Sequence, residues 1–469
     1  MASLTCGVDF GTTNSSVAVT DGQSVRVLDL DSANDVPKSL PSLLYISNDG
    51  DVTIGRSAAN AFIERNVDRE VVLQRIELGM TIEGYVASEP DKSESYRPPE
   101  NPAPTEAVRV RTTVEVNSPG RLFQSIKSFL RFRDFKGTEV FGRHYQIEEL
   151  TSLILARIKE AVDEEAGEPV ERAVFGRPVH FSMTPGEDEV AEERLSQAAA
   201  LVGFKEVSFF YEPVAACVEY AVSTERKQRL MVVDIGGGTC DVCVMEFGGA
   251  HGTAARLAES RILGVAGVPI AGDAIDREII RAKLFPCFGS RSRYGPSKLP
   301  MPQHVYNAIL DWQNLYKLNT EEIINWLIAS ESSSTQPLAI RALRCLIQRN
   351  FGYPIVRKVE SAKKMLSTEW EAPIEIHKDA IQISERLSRT EFTQIIEPTL
   401  DDMFASIDEA EKVAQVNPDD IDVVLTTGGT SLIPAVRRML TQRYGGHRLL
   451  ERDTFTSVAQ GLAVVSQFV

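Results

Sequence analysis

Cysteine and histidine are scarce in this chain, six of each in 469 residues. The histidines stand apart and show no H-E-x-x-H spacing, so the usual signature of a histidine-held catalytic metal is missing. Of the cysteines, at 6, 217, 240, 243, 287 and 345, only Cys240 and Cys243 form a C-x-x-C pair. They fall in a strand, where positions three apart point to opposite faces, and no second pair completes a zinc site. Positive charge is in deficit too. Lys and Arg number 50 against 66 Asp and Glu, a formal net charge of −16. That balance argues against a nucleic-acid partner, which needs a concentrated basic face. No apolar run approaches the length of a membrane span. The first strand begins by about Leu4, leaving no room for a leader, so a cytoplasmic, membrane-free protein is expected.

What remains is ordinary for a globular chain, with 43% hydrophobic and 25% charged residues, and the length predicts about two to four domains. Its most informative feature is a near-repeat. Cys6-Gly7-Val8-Asp9-Phe10-Gly11-Thr12-Thr13-Asn14 has a counterpart half a chain later, Val232-Val233-Asp234-Ile235-Gly236-Gly237-Gly238-Thr239-Cys240-Asp241. Each is an apolar strand, an aspartate, one apolar residue, then glycine and threonine. Residues 15–20 and 241–245 continue as strands, so the glycines sit in hairpin turns. A dinucleotide or Walker-type loop would instead lead from strand into helix.

Strands are expected at 4–8, 15–20, 25–28 and 42–46. Pro90, Pro98, Pro99, Pro102, Pro104 and Pro119 then mark an exposed excursion on a subdomain. Residues 145–167 carry a helical period, followed by a strand at 173–181 interrupted by Pro178, a helix at 187–202, a short strand at 207–210 and a helix to 222. In the second half, 301–349 has a packed-helix pattern and 354–367 reads as an amphipathic helix with proline in its first turn. A strand at 423–427 meets Gly428-Gly429-Thr430, a helix runs from Pro434 to about 440, and the final helix spans about 456–465. These signals predict an N-terminal lobe, 1–222, with an insertion at about 50–145. They predict a C-terminal lobe, 223–469, with a helical insertion at about 277–370.

In order, 9–14, Tyr211-Glu212-Pro213-Val214-Ala215-Ala216, 234–241, 360–367 and 428–434 resemble the nucleotide-binding domain of the 70-kDa heat-shock chaperones. A sixth segment, Phe123 to Leu130 with Lys127, resembles that family's lysine-bearing helical turn. The resemblance spans nearly the whole chain and implies an α/β, two-lobed actin-like ATPase fold with duplicated ribonuclease-H-like lobes. It further implies ATP or ADP with Mg²⁺ between the lobes. Gly11, Thr12, Thr13 and Asn14 would cradle phosphates from one side, Gly236, Gly237 and Gly238 from the other, through backbone N–H groups and threonine hydroxyls. Asp9 and Asp234 would hold a hydrated Mg²⁺ through water. By the same resemblance Lys127 orients the attacking water, Glu212 acts through water near the metal, Asp234 or Asp241 accepts the proton, and Thr239 lies near the γ-phosphate. Gly428, Gly429 and Thr430 would approach the nucleoside, with Gly272 in a further turn. Glu360, Lys363, Lys364 and Ser367, at i, i+3, i+4 and i+7, share a helix face and would line the adenosine pocket. Leu432 stands where many relatives carry an arginine that stacks on adenine.

The expected activity is slow ATP hydrolysis by a monomer that signals, through lobe movement, to an unidentified protein partner or client. The family's peptide-binding region is not expected, since residues 455–469 close the ATPase domain. A non-hydrolysing nucleotide-dependent scaffold, an actin-fold filament protein and a sugar-kinase-type phosphotransferase stay open.

Overall fold

Two mixed sheets organise the chain, and each is built in the same order. A computed structural model describes residues 4–85, 105–224, 226–249, 252–452 and 456–469. Pro90, Pro98, Pro99, Pro102 and Pro104 of the expected excursion lie outside the described residues. In the first sheet the strands run Val25–Val27, Asn14–Thr20, Thr5–Phe10, Arg172–Arg177, Glu206–Tyr211. In the second they run Arg261–Val268, Cys240–Phe247, Gln228–Ile235, Val423–Thr427, Leu449–Glu451. The first three strands of each path pair antiparallel and the last three pair parallel. The half-chain repeat of sequence is therefore a repeat of topology, as duplicated lobes require.

Local chemistry sets the strand ends. Arg172–Arg177 stops before Pro178, which has no N–H to give a neighbouring strand. Cys240 and Cys243 lie in one strand but belong to different cores, Cys240 with Met231 and Val233, Cys243 with Leu230 and Val232. Among the described residues no helix is long and apolar enough to cross a membrane.

The lobes exchange helices. Glu212–Val222 follows the last strand of the first sheet but packs on Gln228–Ile235 and Cys240–Phe247 of the second. Ser457–Val465 follows the last strand of the second sheet but packs on Thr5–Phe10 and Asn14–Thr20 of the first. Eight of its nine residues are buried, the mark of a helix apolar on every face. Beyond it, Ser466 Oγ lies 2.7 Å from Thr5 Oγ1, and the Gln467 amide donates to Thr20 Oγ1 at 2.7 Å. The expected boundary at 222/223 falls at the end of the first exchanged helix.

Each lobe carries an insertion. In the first, Val52–Ile54, Leu43–Ser47 and Gly120–Gln124 form a small sheet beside the helix Arg56–Asn66, and the turn Ile126–Phe129 presents Lys127. Leu73–Tyr85 pairs with Thr105–Glu115. The second holds the helices Gln303–Leu310, Glu321–Ser333, Pro337–Gln348 and Gly352–Met365. Leu315 and Leu327 are buried there, as the packed-helix pattern predicts.

Candidate functional site

Both hairpins open onto one cleft of about 1180 Å³ between the lobes. The first hairpin is braced from behind, with Ser42 Oγ donating to the Gly11 carbonyl at 2.8 Å and the Ser42 N–H donating to the Thr13 carbonyl at 2.8 Å. The second closes on itself through the Gly236 N–H and the Thr239 carbonyl, 3.0 Å apart. The turns then meet face to face. A Cβ on Gly237 would overlap Thr13 Oγ1, and one on Gly238 would lie 2.7 Å from Thr12 Oγ1, so only glycine allows this approach. Thr13 Oγ1 is buried there without a hydrogen-bond partner. An orphaned hydroxyl is costly to bury, and it marks a place prepared for an oxygen-rich guest.

Carboxylates cluster at the base of the hairpins. Burial first, then the charge of Glu212, pushes Asp9 up to about 7, with Lys127 opposing. Asp234 is likewise raised, by burial first and then by Glu212, Asp241 and Asp9. Such crowding of like charges favours a proton or a cation. Among the described residues, no three His, Cys, Asp or Glu side chains converge closely enough to cage a metal directly. The donor set therefore suits Mg²⁺ kept hydrated and held through water, and the residues present fit that ion.

Lys127 and Glu212 are both buried, and Nζ donates to Oε1 at 2.6 Å. The Lys127 ammonium also lies 5.8 Å from the centre of the Phe181 ring. Asp241 is placed differently. It does not line the cleft; its Oδ1 accepts the Val179 N–H at 2.7 Å, across the lobes. Its carboxyl is pushed up to about 7 by burial and then by Glu212, with a bond to Thr239 pulling the other way. Of the two carboxylates considered for the proton, only Asp234 faces the cleft.

The other wall comes from the second lobe. Gly428, at φ 78°, brings its backbone against Ile235 and Asp234, which any side chain would block. Thr430 Oγ1 donates to the Gly236 carbonyl at 2.7 Å, and the Gly272 N–H donates to the same oxygen at 3.2 Å. Asn14, Thr239, Gly429 and Ser367 line the same space. Lys363 and Lys364 diverge. Lys363 bonds Asp276 at 2.7 Å and the Gly272 carbonyl at 3.1 Å; burial opposes its charge, but Asp276 outweighs this and raises its pKa. Lys364 is exposed and pairs with Glu360 at 2.8 Å. Burial pushes Glu360 up, yet Lys364 and Arg357 together hold it below its usual value. Leu432 is exposed at the cleft's edge.

Three cleft residues escape a motif reading: Ser125, Asp273 and Asp276. Ser125 Oγ donates to Asp273 Oδ2 at 3.2 Å, joining the lobes beside Lys127. The i,i+3 spacing of Asp273 and Asp276 after Gly272 is the one sequence signal that marks them as a shared helix face.

The family model described as Hsp70 protein matches residues 134–256 and 323–468, more than half of the chain. The chain belongs to the Hsp70 family. Its two-lobed, duplicated architecture is accordingly the actin-like ATPase fold. Among Hsp70 relatives, it is 24% identical over 470 residues to the chaperone protein DnaK from each of two strains of Thermus thermophilus. Each match covers 98% of this chain and 60% of the relative.

Proposed function

We propose that this Hsp70-family chain binds ATP with Mg²⁺ in the cleft, hydrolyses it slowly, and passes the change in lobe angle to a protein partner. The observation that carries this reading is the meeting of the two hairpins, with Thr13 Oγ1 buried and unpaired against Gly237. Backbone N–H groups of both turns, with Thr12, Thr13 and Thr239, supply donors to phosphate oxygens from two sides. When bound, Mg²⁺ supplies positive charge to those oxygens, with Asp9 and Asp234 holding its waters. Lys127 orients a water molecule for attack, and Glu212, bonded to Lys127, fixes where the ammonium points. Asp234 is the carboxylate placed to take the proton. Catalysis is then positioning plus charge stabilisation. At the nucleoside end, Gly272, Glu360, Lys363, Lys364, Ser367 and Gly428 to Thr430 form the wall, and Leu432 offers the base an apolar contact. The protein acts as a cytoplasmic monomer, with a protein client or partner receiving its output.

Single-turnover hydrolysis of bound ATP tests this. Lys127→Ala is expected to retain nucleotide and to lose hydrolysis by roughly a hundredfold. Tight binding with no hydrolysis by the wild-type protein would replace the ATPase reading with a nucleotide-sensing scaffold.

A further inference from the structure

The segment that carries Lys127 does not end at the phosphate site. It runs on as Phe129-Leu130-Arg131-Phe132-Arg133-Asp134-Phe135-Lys136, three rings interleaved with three basic residues and one acid, in a chain whose net charge is −16. Leu130 is buried, but Phe129 and Phe132 are 39% and 40% exposed. Their ring centres lie 6.0 Å apart, and Phe135 sits 5.4 Å from Phe129, so the rings form one patch rather than scattered contacts. Phe129, Arg131, Phe132 and Phe135 line the cleft together with Val36, itself exposed. A cluster of exposed apolar rings marks a contact surface.

The patch is held in place from beneath. Arg194, buried on the helix Glu187–Leu201, donates through Nη1 to the Leu130 carbonyl at 3.0 Å and the Phe132 carbonyl at 2.9 Å. Its Nη2 reaches the Arg133 carbonyl at 3.3 Å, and Glu148 balances its charge at 3.2 Å. The outer cations have no such balance. Among the described residues, Arg131, Arg133 and Lys136 have no carboxylate partner. Arg133 Nη2 instead donates to the Gly186 carbonyl at 3.3 Å. The Arg131 guanidinium lies 4.9 Å from the centre of the Phe132 ring and gives Nη1 to the Phe181 carbonyl at 2.6 Å. Its Nε is buried with no acceptor, which is costly unless a guest supplies one. Because Arg194 fixes the backbone behind the rings, little freedom is left to lose when a partner arrives.

We propose that this face docks a segment of a partner protein that is acidic and carries an aromatic side chain. The partner's ring packs on Phe129 and Phe132, and its carboxylates meet Arg131, Arg133 and Lys136. Single-stranded nucleic acid also seeks rings beside cations. A continuous phosphate backbone is repelled by the negative charge of the chain as a whole, whereas a short acidic segment sets its few carboxylates on this patch alone. Docking here needs no nucleotide, so it stands apart from the reading of the cleft above.

The test probes an array of short peptides of mixed composition with the full chain, nucleotide-free, and measures the best binder in solution by fluorescence anisotropy. Peptides that combine aspartate or glutamate with an aromatic residue should be retained, and exchanging their acids for lysine should abolish binding. Phe132→Ser and Arg133→Glu, both at exposed positions, should each weaken binding by about tenfold or more. Lys412→Glu makes the same charge change on the helix Arg389–Ala414 and should leave affinity within about twofold. Preference for basic or uncharged peptides would overturn the proposal, as would undiminished binding in both patch variants. Equal loss in Lys412→Glu and Arg133→Glu would reduce the effect to net charge and overturn it too. Tighter binding of single-stranded oligothymidylate than of any peptide would overturn it in favour of nucleic acid.

Discussion

Gly237 stands where a single methyl group has a large effect. Its Cβ would overlap Thr13 Oγ1 and lie 3.3 Å from Asp273 Oδ1, so Gly237→Ala must push the hairpins apart. Overpacking of about 1–3 kcal/mol at this point should weaken nucleotide binding by roughly tenfold or more, and Thr13→Ala in the same chain should restore part of it. Calorimetric titration of both variants checks this. Asp241 makes a different prediction. Its folded pKa is raised to about 7 from an ordinary 3.8 by burial first, so the folded form keeps a proton that the unfolded form gives up. Its contribution to stability is thus fully favourable below about 4 and is lost as pH rises through 7. Asp241→Asn can still accept from Val179 and should stabilise the nucleotide-free protein at pH 8 by an amount on the order of a few kcal/mol, with the gain shrinking towards pH 5. Denaturant melts across that range decide it. Residues such as Asp9, Gly236 and Gly428 are legible in sequence because turn chemistry is local. Ser125 and Asp273 are not, since their bond joins positions 148 residues apart.

Among the elements, legibility follows periodicity. The strand Val423–Thr427 lies where its β-branched run predicts, and the final helix is off by one residue at its start. The hairpin Glu371–Lys378 with Ile381–Ser388 carries a plain alternation, with Ala372, Ile374 and Ile376 buried, yet it lies beyond every recognised motif. The 26-residue helix Arg389–Ala414 is masked by Pro398 in its interior, which argues for a break that the structure does not show. That proline is solvent-exposed and removes one helical hydrogen bond. Pro398→Ala should therefore stabilise the protein by about 1–3 kcal/mol, as read from thermal or chemical unfolding. The helix Arg56–Asn66 gives no sign in its own sequence of the Trp312 and Tyr353 rings that receive Phe62, because they come from the other lobe.

For the molecule as a whole, the lobe plan follows from repetition: two copies of one strand order, read from two Asp-x-Gly-Thr-like turns. The exchange of helices between them is less visible, because an apolar helix does not say which sheet it covers. That exchange also bears on biosynthesis. The first sheet packs against Ser457–Val465, which leaves the ribosome last among the described helices. At about 5–20 residues per second, the roughly 240 residues between the end of the first lobe and that helix take on the order of tens of seconds to appear. Nascent chains stalled after residue 222 should accordingly be cut readily by protease within the first sheet, and resistance there should emerge only once the closing helix has cleared the exit tunnel. A first sheet that waits for the helix Ser457–Val465 should offer holding chaperones an uncovered apolar face while the intervening residues are made.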